Sequence, residues 1–344
     1  MNRNRKWTLL NVFATLGLLI GGFGFTQAKA ETIDWHVQNI FVPGSLPNVI
    51  LFERMPELIE QATKGRLKII EAKGLVKYPQ ILDAVRDGRL KGGSVPLAYV
   101  GGMSPADVTD LPGMFNDEAS RIKWINETGY HDIIKEELRK QFDIEVMLNF
   151  EMGYDAVFFV DPVRTFDDFK GKKIRAFGRH TLVVLEHLGA APLNVPWGEV
   201  YLGLETGLLD GAITGLVSGV GSNFHDKGKH IFYGELGGAT TMIFPVSGEA
   251  WRALPDDLKP KVQQVFDELQ AEYEARSVGW TEKLMDKARA DGAEIVFPTP
   301  EELAIIEPAA KRLANEWRER VAKVGYEIPN VWKEYLTERG LWDE

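Results

Sequence analysis

The segment that most constrains the fold lies in the middle of the chain, at residues 171–215. It alternates short apolar strand patterns with short helical patterns. The predicted elements are, in order, strand 173–177, helix 181–188, strand 193–196, helix 198–208 and strand 209–214. Strands that alternate with helices favour a parallel sheet, and ligands of such sheets bind beyond the carboxyl ends of the strands. The sequence therefore predicts an α/β fold with a binding site at one edge of its sheet.

Three side chains follow or end these strands and are expected to converge at that edge. Arg175 carries a permanent positive charge that can form two parallel hydrogen bonds with a carboxylate. Trp197 offers an apolar face that could cover a ligand, and Thr214 offers a hydroxyl. The alternatives are a solvated arginine, a core tryptophan and a threonine bonded to local backbone. We interpret the three together as a site for an organic anion.

Further candidate ligand contacts lie near other predicted strand ends and helix starts. They are Tyr154, Asn39, Phe41, Tyr78, Tyr99 and Glu151. Tyrosine and phenylalanine could stack on a ligand, asparagine could hydrogen-bond to it, and glutamate could accept a hydrogen bond from a hydroxyl or amine. A core tyrosine or a solvated acid is the ordinary alternative for each.

Composition excludes several classes of function. The chain has 344 residues, a formal net charge of −10 and no cysteine. The acidic balance argues against a nucleic-acid partner, and disulfides or a cysteine nucleophile cannot occur. The histidines do not have metal-ligand spacing, and neither GxSxG nor a P-loop is present. We therefore expect no metal, no cofactor and no enzyme activity.

The N-terminus has the three parts of a secretory signal. Residues 3–6 contain three basic side chains, residues 9–25 are apolar, and small residues precede a cleavage point after Ala30. An uncleaved membrane anchor is the alternative, because the apolar run approaches the length of a bilayer span. We predict that residues 1–30 are removed and that the mature protein works in the periplasm.

Several motifs resemble the extracytoplasmic solute-binding subunits of TRAP transporters, the DctP-like family. The matching segments are DFKGKKIR at 168–175, GAAPLNVPWGEVY at 189–201, LETGLLDG at 204–211, GRLKIIE at 65–71, AVRDG at 84–88 and DVTDLPGMF at 107–115. The resemblance covers nearly all of the mature chain. It is specific for the family and not for the ligand.

The resemblance implies a two-lobed periplasmic-binding-protein fold. We place the first lobe at residues 31–152 plus 241–278 and the second at 153–240 plus 279–325, with a helical tail at 326–344 packed on the lobes. The first crossing lies near Gly153. A helical pattern from 255 to 292 would extend roughly 50 Å, and in the family such a helix spans both lobes. The alternative is two helices broken near Gly279.

The resemblance also assigns roles to the site. Arg175 occupies the position of the family arginine that pairs with the ligand carboxylate, and Trp197 occupies its aromatic position. Thr214 replaces an asparagine common in the family. Tyr154 replaces an arginine of some sialate- and dicarboxylate-binding relatives, although Arg179 or Lys77 could compensate. These departures favour a monocarboxylate, or a hydroxy- or keto-acid, over a dicarboxylate.

The predicted function is therefore capture of a small organic carboxylate and its delivery to TRAP-type permease subunits by a monomeric binding protein. Two alternatives remain open at this point. The chain could serve a sensor kinase as its binding subunit, or it could be a secreted hydrolase or lyase with two lobes.

Overall fold

The computed structural model describes residues 32–41, 43–97, 105–115, 117–234, 236–277 and 279–342. The predicted signal peptide, residues 1–30, and Tyr99 lie outside these ranges. Among the described helices, none combines the length and the apolar character that a bilayer span requires.

The described strands form one continuous sheet. In chain order they are β1 (Ile33–Gln38), β2 (Leu67–Glu71), β3 (Gly92–Gly93), β4 (Val95–Pro96), β5 (Ile144–Phe159), β6 (Lys173–Arg175), β7 (Ala191–Leu193), β8 (Gly211–Gly215), β9 (His230–Tyr233), β10 (Ala239–Ser247) and β11 (Glu294–Val296). The sheet order is β2-β1-β3-β10-β5-β8-β6-β7, with β4 beside β10, β9 beside β5 and β11 beside β9. We call the part around β1–β4 and β10 the first lobe, and the part around β6–β9 and β11 the second lobe.

Helices cover both faces of this sheet. They are α1 (Leu46–Asn48), α2 (Met55–Ala62), α3 (Ile81–Arg86), α4 (Glu118–Glu127), α5 (Tyr130–Phe142), α6 (Gly178–His187), α7 (Val200–Thr206), α8 (Leu216–Gly221), α9 (Gly248–Ala253), α10 (Lys259–Ser277), α11 (Trp280–Ala290), α12 (Pro300–Ile305), α13 (Glu307–Lys323) and α14 (Asn330–Glu338). The mixed α/β architecture predicted from the sequence is confirmed.

Strand β5 passes from one lobe to the other without interruption. Up to Tyr154 it pairs with β10, and from Asp155 onward it pairs with β8 and β9. The sequence predicted two strands here, and the structure joins them through Gly153, whose φ of 72° is accessible to glycine at little cost. The change of partner lies next to the predicted crossing. The lobe boundaries themselves stay a prediction.

The central strand–helix–strand–helix–strand order is confirmed. β6 pairs in parallel with both β7 and β8, so their carboxyl ends lie at one edge of the sheet. The strands are shorter than predicted, and β6 ends at Arg175 itself. Because the side chain of Arg175 stands at the last strand position, it is presented at the edge where ligands of parallel sheets bind.

The segment after α9 consists of two helices. The prediction of one continuous helix from 255 to 292 is therefore wrong. α10 ends at Ser277 and α11 begins at Trp280, with Gly279 between them at φ 74°. Apolar side chains of α10 pack in the first lobe, whereas those of α11 pack in the second. The pair therefore contacts both lobes although the helix itself is broken.

The first lobe departs from prediction in two places. The helix expected at 51–63 begins earlier, at Leu46, and a π-helical stretch, Val49–Arg54, connects α1 to α2 just before Pro56. Within that stretch the turn is widened, so that the N–H of Met55 donates to the carbonyl of Ile50. The strand expected at 92–99 is present as the short strands β3 and β4.

The C-terminal tail belongs to a buried aromatic cluster. Trp332 and Leu336 of α14 are fully buried, and the Trp332 ring lies 5.2 Å from that of Trp124 on α4. The indole N–H of Trp332 donates to the carbonyl of Thr128 at 3.2 Å. Helix α14 is therefore part of the core of the molecule.

Candidate functional site

A cavity lies between the two lobes. It contains about 640 Å³ of space, counted with its opening to solvent. Phe41 and Tyr78 line it from the first lobe, and Arg175, Trp197 and Thr214 line it from the second. These five residues were all candidate contacts in the sequence, and the structure brings them together at the carboxyl ends of the strands.

Arg175 is held at the cavity by two backbone carbonyls. Its side chain is buried, with 2% of the residue exposed. The Nε–H donates to the carbonyl of Val195 at 3.3 Å, and Nη1 donates to the carbonyl of Ile213 at 3.0 Å. Because a guanidinium has five N–H groups in a rigid plane, these two bonds fix the orientation of that plane at the cavity wall.

Two aromatic rings flank the guanidinium. Its central carbon lies 5.2 Å from the centre of the Phe177 ring and 5.6 Å from that of Trp197, distances typical of cation–π contacts. Trp197 is supported in turn by Phe224, at 4.9 Å between ring centres. The rings exclude water from the charge, and a charge in such surroundings interacts more strongly with an anion than it does in bulk water.

Hydroxyl groups stand near the arginine on the second lobe. Thr214 on β8 is 5% exposed and lines the cavity, as do Ser218 and Ser222. The two serines are four residues apart across the end of α8, so they lie one helical turn apart on the same face. The sequence does not reveal either serine as a contact, because the Gly- and Ser-rich composition of residues 218–228 predicts a loop where the structure has the end of α8.

The first lobe contributes a largely apolar wall. Phe41 follows β1 and packs on Phe150 at 5.9 Å between ring centres, while Met152 and Met242 lie on the two strands that connect the lobes. Ser45, directly before α1, adds a hydroxyl. Sequence reasoning missed the methionines and Phe177, since buried apolar residues give no signal that separates a cavity wall from a core.

Asn39, a predicted contact, is not among the described residues that line the cavity. Its Oδ1 accepts a hydrogen bond from the backbone N–H of Phe41, and its Nδ2 donates to Oδ1 of Asn48, both at 2.8 Å. A side chain that bonds backbone two residues onward shapes a turn. Asn39 therefore positions the loop that presents Phe41.

Glu151 and Tyr154 also lie outside the cavity lining, in a buried charged cluster. Glu151 forms an ion pair with Arg121 of α4, a residue that is fully buried. The guanidinium of Arg121 lies 5.7 Å from the Tyr154 ring, and Thr241 donates to Glu151. Both candidates therefore have a structural partner that the sequence did not reveal, because nothing in the pattern of α4 marks Arg121 as a partner of β5.

The two cations that could have compensated for the missing second arginine are elsewhere. Arg179 forms a two-pronged ion pair with Glu316 at 2.9 and 3.0 Å, and Lys77 is exposed. Neither lines the cavity. Among the described residues of the lining, Arg175 is the single charged side chain.

The hydroxyls of the described lining lack the neighbours that usually activate a nucleophile. The serines and the threonine have no histidine or carboxylate beside them among the described lining residues, and such a partner is what activates a hydroxyl as a nucleophile. Over the described part of the chain, no group of three or more His, Cys, Asp or Glu is arranged to hold a metal ion.

Known proteins resemble this chain over most of its length. A solute-binding protein of Albidiferax ferrireducens is 24% identical, with 74% of this chain and 77% of the relative covered. The C4-dicarboxylate-binding periplasmic protein of Rhodobacter capsulatus is 26% identical, with 84% and 93% covered. The structure of a TRAP periplasmic solute-binding protein from Desulfovibrio salexigens with bound orotic acid superposes with a TM-score of 0.78 at 18% identity, covering 90% and 99%.

The similarity in structure reflects a shared two-lobed fold. The family model described as bacterial extracellular solute-binding protein, family 7, matches residues 41–320, which include strands β2–β11 and every described residue of the cavity lining except Ile40. The chain belongs to this family of extracellular solute-binding proteins, the DctP family.

Proposed function

We propose that this protein is a periplasmic receptor that captures a small organic acid between its lobes and delivers it to a TRAP-type permease. The observation that carries the proposal is the buried guanidinium of Arg175 in the wall of an interlobe cavity. A buried cation that is oriented by backbone carbonyls is well suited to pair with one carboxylate. Membership of the DctP family supports the transport role.

The proposed contacts follow from the lining. Arg175 pairs with the ligand carboxylate, Trp197 covers the carbon skeleton, and Thr214 forms a hydrogen bond with a polar group. Phe41 and Tyr78 close the site from the first lobe, so that a bound ligand touches both lobes. A ligand that contacts both lobes favours the conformation in which they are close together.

The proposal on ligand charge rests on the single cation of the described lining. The Rhodobacter capsulatus relative binds C4-dicarboxylates, and the Desulfovibrio salexigens structure contains orotic acid, which has one carboxyl group. A second carboxylate in this cavity would be desolvated without a cationic partner, which is costly. We therefore propose a monocarboxylate.

The test compares two neighbouring cations of β6. A thermal-shift screen of organic acids first identifies those that stabilise the protein, and calorimetry then measures their affinity for Arg175→Ala and Lys173→Ala. Lys173 is exposed on the same strand and serves as the matched control. We expect Arg175→Ala to weaken binding by about 2–5 kcal/mol, since it removes one partner of a desolvated charge pair.

The control variant should bind as tightly as the unmodified protein. An Arg175→Ala variant that keeps full affinity would refute the pairing of this guanidinium with the ligand. If no organic acid stabilises the protein, the proposal that it is a receptor for such acids is itself contradicted.

A further inference from the structure

The charges around the cavity restrict what the carboxylate can be attached to. Arg175 is the single charged side chain of the described lining, which contains neither a carboxylate nor an amide side chain. A ligand ammonium group would lose its water without gaining an anion, so the cavity disfavours zwitterions as well as dicarboxylates.

Much of the remaining wall of the cavity consists of rings and thioethers. Phe41 and Tyr78 contribute rings from the first lobe, Phe177 and Trp197 from the second, and Met152 and Met242 lie between them. Aromatic faces gain most from flat partners that stack on them or meet them edge-on, and methionine adapts its shape to such partners. A chain of many hydroxyl groups would leave several of them unpaired against these walls, which costs free energy for each group.

The neutral polar side-chain groups of the described lining are hydroxyls, one of them on Tyr78, together with the indole N–H of Trp197. Ser45 lies on the first lobe, and Thr214, Ser218 and Ser222 lie on the second. A hydroxyl can either donate or accept a hydrogen bond, so this set suits one or two uncharged substituents on the ligand. It offers no bidentate partner for a second charged group.

We propose that the ligand is a cyclic monocarboxylate: a flat ring that bears one carboxylate, one or two neutral hydrogen-bonding groups and no amino group. This inference rests on the proposed function, because it assumes that Arg175 pairs with the carboxylate. The ring lies among the aromatic side chains of the two lobes, and its neutral substituents reach the hydroxyls of the lining.

Five acids separate the features of this ligand. Benzoate and 4-hydroxybenzoate present a flat ring with one carboxylate, phthalate adds a second carboxylate, 4-(aminomethyl)benzoate adds an ammonium group, and gluconate keeps one carboxylate on an open polyhydroxy chain. Calorimetry on the full chain is expected to give dissociation constants for the first two that are at least tenfold lower than for the other three.

Tighter binding of phthalate, 4-(aminomethyl)benzoate or gluconate than of the two simple ring acids overturns the inference. If gluconate binds more tightly and Arg175→Ala abolishes that binding, the inference that the ligand is a flat ring is wrong, while the proposed receptor function stands. If none of the five acids binds, and no other organic acid stabilises the protein, both proposals fail.

A second measurement tests the aromatic wall separately from the charge. Trp197→Leu keeps an apolar side chain but removes the aromatic face beside Arg175. We expect it to weaken 4-hydroxybenzoate at least tenfold and cyclohexanecarboxylate, which has no flat face, by less than threefold. Equal losses for both acids would show that the ring face of Trp197 does not recognise the ligand. Trp251→Leu, on α9 away from the cavity lining, should change neither.

Discussion

Arg175 shows why the site uses arginine instead of lysine. The side chain donates to the backbone carbonyl of Ile213 within β8 and to that of Val195 just after β7, and it lies in the wall of the cavity. A lysine ammonium is a compact charge on a flexible stem, and three donors on one atom cannot reach two carbonyls and a ligand in one plane. A planar guanidinium can also pack against aromatic rings, as Arg175 does here with Phe177 and Trp197.

A half-buried histidine of α5, His131, makes stability depend on pH. Burial, together with the nearby Lys135, lowers the pKa of His131 from 6.5 to about 4, against a smaller opposing effect of Asp132. Between these two values the unfolded chain binds a proton that the folded protein does not. Stability from this residue is therefore fully present above pH 6.5 and is lost as the pH falls toward 4.

The unmodified protein should lose unfolding free energy between pH 7 and pH 4.5, and we expect His131→Gln to reduce this loss by about 1–2 kcal/mol. This is less than the free energy that corresponds to the full pKa difference, because the ring is partly exposed. Urea denaturation at the two pH values measures this. The control is His36→Gln, which replaces an exposed ring on β1. Between pH 7 and pH 4.5 this variant should lose as much unfolding free energy as the unmodified protein does. A His131→Gln variant with the same pH dependence as the parent would show that the histidine does not contribute.

Side chains at strand ends were predictable, whereas buried partners were not. Arg175, Trp197 and Thr214 follow from the rule that parallel strands share one carboxyl edge. Glu151 and Tyr154 looked equally suitable in the sequence, but they contact Arg121, which lies about thirty residues earlier on α4. Only the folded chain brings that arginine to β5.

At the scale of elements, α10 protects the open edge of β5. In the described sheet, the first-lobe part of β5 has β10 on one side and no strand on the other. Gln270 of α10 takes the place of a strand: its Oε1 accepts from the backbone N–H of Asn149 at 3.1 Å and its Nε2 donates to the carbonyl of the same residue at 2.7 Å. Tyr273 donates to the carbonyl of Glu151 at 2.7 Å.

We expect Gln270→Leu to lower the unfolding free energy by about 1–3 kcal/mol, because it leaves a backbone N–H and a carbonyl of a buried strand residue without their partner. The control is Gln264→Leu, an exposed glutamine of the same helix that bonds Glu268. Helix propensity changes equally in both variants. The difference between their unfolding free energies therefore measures the contribution of the hydrogen bonds between Gln270 and β5. Equal stability of the two variants by denaturant titration would show that the edge needs no such cover.

The limits of prediction at this scale have a simple cause. The apolar stripe of residues 255–292 continues across Gly279, so periodicity alone did not choose between one helix and two. The choice depends on the two lobes, since α10 packs in one core cluster and α11 in another. The opposite holds for β5. Gly153 suggested that the strand would be interrupted there, but pairing with β10 on one side of Gly153 and with β8 on the other makes it one continuous strand.

At the scale of the whole molecule, three connections between the lobes each contain a glycine in the left-handed region. Gly153 lies within β5, Gly238 directly precedes β10, and Gly279 separates α10 from α11, with φ values of 72°, 75° and 74°. Residues that absorb changes in φ and ψ at the ends of elements are where domains rotate. Glycine has the widest range of accessible backbone angles, so each of the three connections contains a position at which the backbone can rotate.

Because Phe41 and Tyr78 face Arg175 and Trp197 across the cavity, a bound acid gains all its contacts only when the lobes are close. Ligand should therefore shift the population toward a compact form, and small-angle X-ray scattering should record a smaller radius of gyration when a tightly binding acid is saturating. Lys173→Ala should compact in the same way. Arg175→Ala should keep its ligand-free radius at the same acid concentration, since the affinity that drives closure is lost. Calorimetric binding without any change in scattering would mean that the lobes hold one relative position with and without ligand, and the three glycines would then have only a local role in the backbone.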